Sequence, residues 1–91
     1  MSITVRVPAQ LRTLTGGSGE LKLEGSTVGE LLKALDTAHP GMADRLFDES
    51  GALRRFVNVF VDDEDVRFLS GLDTALAEGQ TVSIVPAVAG G

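Results

Sequence analysis

Ninety-one residues, 43% hydrophobic and 23% charged, make one globular domain that can bury a modest core without staples. A net charge of −5 and the absence of Trp and Tyr argue against nucleic acid, because a phosphate backbone calls for basic grooves and bases for large aromatic platforms. Without cysteine there is no disulfide, thiolate metal site or thiol nucleophile, and no apolar run approaches the length of a membrane span.

Ile3, Val5 and Val7 alternate with Thr4 and Arg6, the period-two pattern of a half-buried strand, and Pro8 ends its ladder capacity. This opening lacks the basic segment and continuous apolar stretch of a signal peptide, so a cytoplasmic protein is expected. Gly16-Gly17-Ser18-Gly19 turns the chain into a second alternating run, with Leu21 and Leu23 between Glu20, Lys22 and Glu24, and an opening hairpin results. Thr27, with Glu30 three residues on, forms a capping box. Val28, Leu31, Leu32 and Leu35 then place one apolar stripe on a helix that Pro40-Gly41 ends.

A short helical turn is expected over 42–47, closing Met42, Leu46 and Phe47 over the core, followed by a connecting loop. The run 56–61, Phe-Val-Asn-Val-Phe-Val, is the strongest strand of the chain. Val57, Val59 and Val61 suit the core, whereas Phe56, Asn58 and Phe60 set two aromatics around an amide on the other face. Open to solvent, that face is a partner-docking patch; covered by loops or by the second helical turn, it is ordinary aromatic burial. Four acidic residues at 62–65 turn the chain into a short strand over 66–68, a helical turn follows over 71–77, and 81–85 forms the last strand. The single long helix must then cross one face of a mixed sheet of four to five strands, an α+β arrangement.

No catalytic constellation emerges. The glycine cluster at 16–19 is followed by a strand and by no Lys-Ser/Thr pair, so it is a turn and not a phosphate loop. The acidic run lacks the spacing and the mid-loop glycine of a calcium loop. His39 is the only histidine, and Ser18, Ser50 and Ser70 have no nucleophile-elbow context. What remains is the end of the chain: an uncharged run, Pro86-Ala87-Val88-Ala89, leads into Gly90-Gly91. Glycine has no Cβ and fits a channel too narrow for other residues, so the Gly91 carboxylate can be presented to a partner enzyme. A frayed terminus is the competing explanation. A chain without an active site but with an unhindered carboxylate is better suited to be a substrate or carrier than an enzyme.

Several stretches carry a resemblance: Ala9-Gln10-Leu11-Arg12, Thr27-Val28-Gly29-Glu30-Leu31-Leu32, Ala77-Glu78-Gly79-Gln80-Thr81-Val82 and Val88-Ala89-Gly90-Gly91. In them the chain resembles the ubiquitin-like sulfur carriers of the molybdopterin and thiamin pathways, the MoaD/ThiS family. Arg55-Phe56-Val57-Asn58-Val59 and Glu64-Asp65-Val66-Arg67-Phe68, with the ending, look most like its cysteine-forming branch. The resemblance implies a β-grasp domain over 1–85 and a flexible tail over 86–91, with no cofactor of its own. It implies an E1-like adenylating enzyme that uses ATP to activate Gly91, a sulfurtransferase step to a thiocarboxylate, and a pyridoxal-phosphate (PLP) cysteine synthase as acceptor. A zinc metalloprotease then releases cysteine. Gly90, Ala89, Val88 and Ala87 would give access to the partner's channel, and the family's docking surface carries over to Pro8 and Val85. Service to molybdopterin synthase or another thiolation pathway, and a role as a protein modifier, are the alternatives.

Overall fold

A computed structural model of the chain describes residues 2–86. Five strands, β1 (Ser2–Arg6), β2 (Glu20–Glu24), β3 (Val57–Val61), β4 (Glu64–Asp65) and β5 (Thr81–Pro86), form one sheet in the order β2-β1-β5-β3-β4. The first and last strands run parallel at its centre and every other pair is antiparallel. The helix α1 (Val28–Ala38) crosses one face, and the shorter α2 (Met42–Leu46) follows it. This is the β-grasp arrangement.

The alternation in the sequence decides which face α1 covers. Ile3 faces Leu23, Val5 faces both Leu21 and Val82, and Val59 faces Ile84, so one side of the sheet is aliphatic across the whole width. The stripe of Val28, Leu31, Leu32 and Leu35 closes onto it, with all four side chains fully buried. Removing so many apolar groups from water is the dominant stabilising term of the fold. The capping box forms in part: the Thr27 hydroxyl accepts the Glu30 N–H at 3.2 Å. The return bond lands one residue earlier than the motif prescribes, because the Glu30 carboxylate accepts from the N–H and the hydroxyl of Ser26 (3.2 and 2.6 Å). Beyond α1, Gly41 takes a left-handed conformation (φ 101°) to start α2, and the Asp36 carboxylate accepts the Ala43 N–H at 2.9 Å.

Four expectations need correction. The hairpin arms β1 and β2 pair as expected, but a 3₁₀ segment, Ala9–Thr15, lies between them and buries Leu11 and Thr15. Strand β3 begins at Val57 and leaves Phe56 outside, because the Val57 N–H closes a turn onto the Arg54 carbonyl (3.0 Å). The strand expected over 66–68 is a 3₁₀ turn, Val66–Phe68, and the pairing falls instead on Glu64 and Asp65. There the Asp65 carboxylate accepts the Arg67 N–H (2.8 Å) and bends the chain out of the ladder. Of the helical turn expected over 71–77, only Gly71–Asp73 is helical; Ala75 bridges to Thr27 and so ties the segment to the start of α1.

Candidate functional site

The residues placed at the reacting end, Gly91, Gly90, Ala89, Val88 and Ala87, lie outside the described residues. The described part of the site is the root from which they continue, together with the sheet face that α1 leaves open.

Alternation assigns that face. Along β5, Val82 and Ile84 point into the core, so Ser83 and Val85 point out; Val85 is 45% exposed. Ser83 lies between Arg6 of β1 and Phe60 of β3, and Val85 lies beside Asn58. Because β1 and β5 are parallel, the chain beyond Arg6 runs on alongside Val85, which is how Pro8, remote in sequence, reaches the end of β5. The two line one shallow groove of about 580 Å³ with Pro86, and Arg6, Arg12 and Glu20 also border it.

Local packing holds the groove's rim. Arg12 donates from Nε to the Val7 carbonyl at 3.1 Å. Its guanidinium lies so close to Gly19 that a Cβ there would stand 2.7 Å from Nε, so a larger residue at that point would have to push the Arg12 side chain aside. Arg6 and Glu20 form an exposed ion pair at 3.8 Å, of the kind that contributes little to stability. Two guanidinium groups against one carboxylate give the rim a positive balance on an acidic chain.

The predicted docking residues therefore divide. Pro8 and Val85 come together in the groove, and Phe60, half-buried, lies on the same open face one register step away. Phe56 does not join them as a strand residue; it stands 57% exposed just before β3. On this face the Arg67 side chain bonds Asn58, donating from Nη1 to Asn58 Oδ1 at 2.6 Å. Arg67 was not singled out in the sequence, and no local pattern signals it, because its partners lie up to thirteen positions away. Phe68 beside it is 87% exposed, which the expectation of a short strand obscured.

Glu30 and Asp48 are the carboxylates held clearly below their ordinary range, each chiefly by a serine hydroxyl, Ser26 and Ser50 respectively, and neither lines the groove. Among the described residues no group of three His, Cys, Asp or Glu side chains could hold a metal ion, and no helix is long and apolar enough to cross a membrane. A second hollow, about 470 Å³ and bordered by Gly29, Lys33, Asp36, Phe47 and Leu72, lies on the helical side, where Asp36 is already engaged with Ala43.

Comparison with known proteins gives this architecture a lineage. The profile of the ThiS family matches residues 5–91. Sulfur carrier protein CysO of Mycobacterium tuberculosis is 48% identical over 93 residues, covering 100% of both chains. Small archaeal modifier protein 3 of Haloferax volcanii is 41% identical over 68 residues, 75% of this chain and 73% of that one. Among solved structures, the crystal structure of the Amycolatopsis orientalis BexX/CysO complex includes a chain that superposes with a TM-score of 0.92 at 46% identity, covering 98% of this chain and 99% of that one. These relatives are by name a sulfur carrier and a small modifier protein. On the family match over nearly its whole length and on the shared β-grasp architecture, the chain belongs to the ThiS family, as a carrier-type protein rather than an enzyme.

Proposed function

We propose that this chain is a sulfur carrier of cysteine biosynthesis, charged at Gly91. The observation that carries the proposal is the full-length identity to a protein named as a sulfur carrier, an alignment that takes in every residue of this chain, Gly90 and Gly91 included. A carboxylate is a poor electrophile. An E1-like adenylating enzyme joins the Gly91 carboxylate to the α-phosphorus of ATP and releases pyrophosphate. Sulfide attacks the acyl carbon directly, or a sulfurtransferase persulfide does so and a second thiol then cleaves the acyl disulfide, leaving as part of a new disulfide; either way AMP leaves with the bonding pair and a terminal thiocarboxylate remains. The thiocarboxylate is the better nucleophile, and its attachment to a docking domain raises its effective concentration at the acceptor.

The acceptor is a PLP-dependent cysteine synthase, whose cofactor belongs to that enzyme, and a zinc metalloprotease frees the cysteine from Gly91. The carrier itself binds no cofactor and works in the cytoplasm. Its own contribution is a docking face around Pro8, Phe60 and Val85, with Phe56 at its margin, and a tail in which Ala87, Val88, Ala89 and Gly90 are small enough to thread a channel. Transfer to molybdopterin synthase or another thiolation pathway uses the same charged end.

A modifier role, in which Gly91 is joined to lysines of other proteins, is the second reading, favoured by the 41% identity to an archaeal modifier. Intact-mass analysis after incubation with an adenylating enzyme, ATP and a sulfur donor tests the first. Replacement of one oxygen by sulfur is expected in the full chain and not in a copy ending at Ala89. No replacement, with the enzymes competent on another carrier, refutes the carrier reading, and isopeptide adducts in cells would then favour the second.

A further inference from the structure

The end of β5 rests on a poorly supported stretch of β3. Val57 stands opposite Pro86 in a non-hydrogen-bonded pair, because the hydrogen-bonded pairs alternate from Asp62, whose N–H bonds the Thr81 carbonyl, through Phe60 to Asn58, so its own carbonyl is directed away from β5. On that other edge β4 pairs only with Phe60 and Val61 and stops short of Val57. An unsupported strand end of this kind frays unless something takes up its backbone groups.

Arg67 does so. Its Nη2 donates to the carbonyls of Val57 (2.7 Å) and Arg54 (3.2 Å), while Nη1 donates to Asn58 Oδ1 (2.6 Å). Asn58 is the residue that faces Val85. The arginine is held in turn by Asp65, whose carboxylate accepts the Arg67 N–H at 2.8 Å and lies 4.0 Å from Nη1. One planar cation thus binds together Val57 and Asn58, the residues that face Pro86 and Val85, and the turn residue Arg54 that precedes them. Its rigid fork of donors suits it to several fixed acceptors at once, whereas a lysine ammonium is a compact point charge on a flexible stem.

We propose that Arg67 is a positioning residue for the carboxyl-terminal segment: by tying Arg54, Val57 and Asn58 it fixes the end of β3, and with it the point from which the chain leaves Pro86. Arg67 touches no reacting atom and acts through β3. The consequence for turnover rests on the sulfur-carrier reading, because orientation of the tail root matters to the rate when Gly91 must be presented to an adenylating enzyme. The effect on β3 does not depend on it.

The test uses the full chain with Arg67→Lys, which keeps charge and bulk, beside Arg67→Ala and the unaltered protein. Amide hydrogen exchange is read at Asn58 and Val85 against Ile3 and Leu32, and sulfuration kinetics are measured with an adenylating enzyme, ATP and sulfide. Losing charge-assisted bonds at the strand end is expected to speed exchange at Asn58 and Val85 about tenfold, leaving Ile3 and Leu32 unchanged. For Arg67→Lys, kcat is expected to fall about tenfold with KM within about twofold, the split that orientation rather than docking produces. Unaltered exchange at Asn58 and Val85 in Arg67→Lys, or an unaltered kcat, overturns the proposal. Should the unaltered chain take up no sulfur, the carrier reading fails instead, and the exchange rates still decide whether Arg67 holds the end of β3.

Discussion

Neighbouring residues on the last strand are predicted to respond in opposite ways. Ile84, 3% exposed, packs into the core from β5, and Val85, 45% exposed, lies on the open face. Ile84→Ala removes three buried carbons and leaves a cavity, which costs about 2–4 kcal/mol. For a domain of this size each kcal/mol moves the thermal midpoint by about 4–8 °C, so a fall of roughly 8–32 °C is expected. Val85→Ala removes two carbons already partly in water, and its effect should stay within about 0.5 kcal/mol, or a few degrees. In docking the order reverses. Covering the exposed part of Val85 with a partner surface gains about 1 kcal/mol, so Val85→Ala should weaken binding to a partner adenylating enzyme about fivefold. Ile84→Ala should leave binding of the folded fraction nearly unchanged. Circular-dichroism melts of both variants and calorimetric titration with the enzyme supply the comparison. A Val85→Ala protein as destabilised as Ile84→Ala would refute the argument, since a one-residue slip of β5 would exchange the two faces.

Thr27→Ala should lower stability by about 1 kcal/mol, because the Glu30 N–H loses its acceptor at the start of α1; urea unfolding measures it, and an unchanged midpoint would mean the cap is dispensable. Glu30 is held below its ordinary value of 4.5, first by the Ser26 hydroxyl. A depressed carboxylate contributes stability that is present above its unfolded value and is lost as pH falls through the folded one, so this contribution fades as the solution is acidified below 4.5. In Ser26→Ala the Glu30 midpoint, followed by NMR of its side-chain carboxyl, should move back up; a midpoint that stays put would rule out the hydroxyl as the cause.

Much of the architecture was legible because it depends on local chemistry. The alternation at 3–7, 21–23 and 57–61 and the stripe from Val28 to Leu35 each state which side is apolar, and a sheet with one apolar face needs one amphipathic helix to close it. The division of Phe60 and Asn58 from Val57 and Val59 follows from the same period of two. At the boundaries the signal failed, since those are set by single turn bonds that the hydrophobic period does not report: β3 begins one residue late because Val57 bonds to Arg54, and β4 stops at Asp65 because that carboxylate binds the Arg67 N–H. The 3₁₀ segment over Ala9–Thr15 carries no periodicity of its own and owes its place to the burial of Leu11 and Thr15.

By itself, then, the sequence determined the apolar faces, the capped helix and a candidate reacting end at Gly90-Gly91, all of which depend on residue type and short-range spacing. Only the tertiary structure decided that Pro8 and Val85 share one groove, since this requires the parallel pairing of β1 with β5 across more than seventy positions of chain. It alone decided, too, that Arg67 holds the strand end beneath Pro86. Three acceptors converge on one guanidinium only after the sheet and the turn after β4 have formed, and no spacing along the chain encodes that meeting.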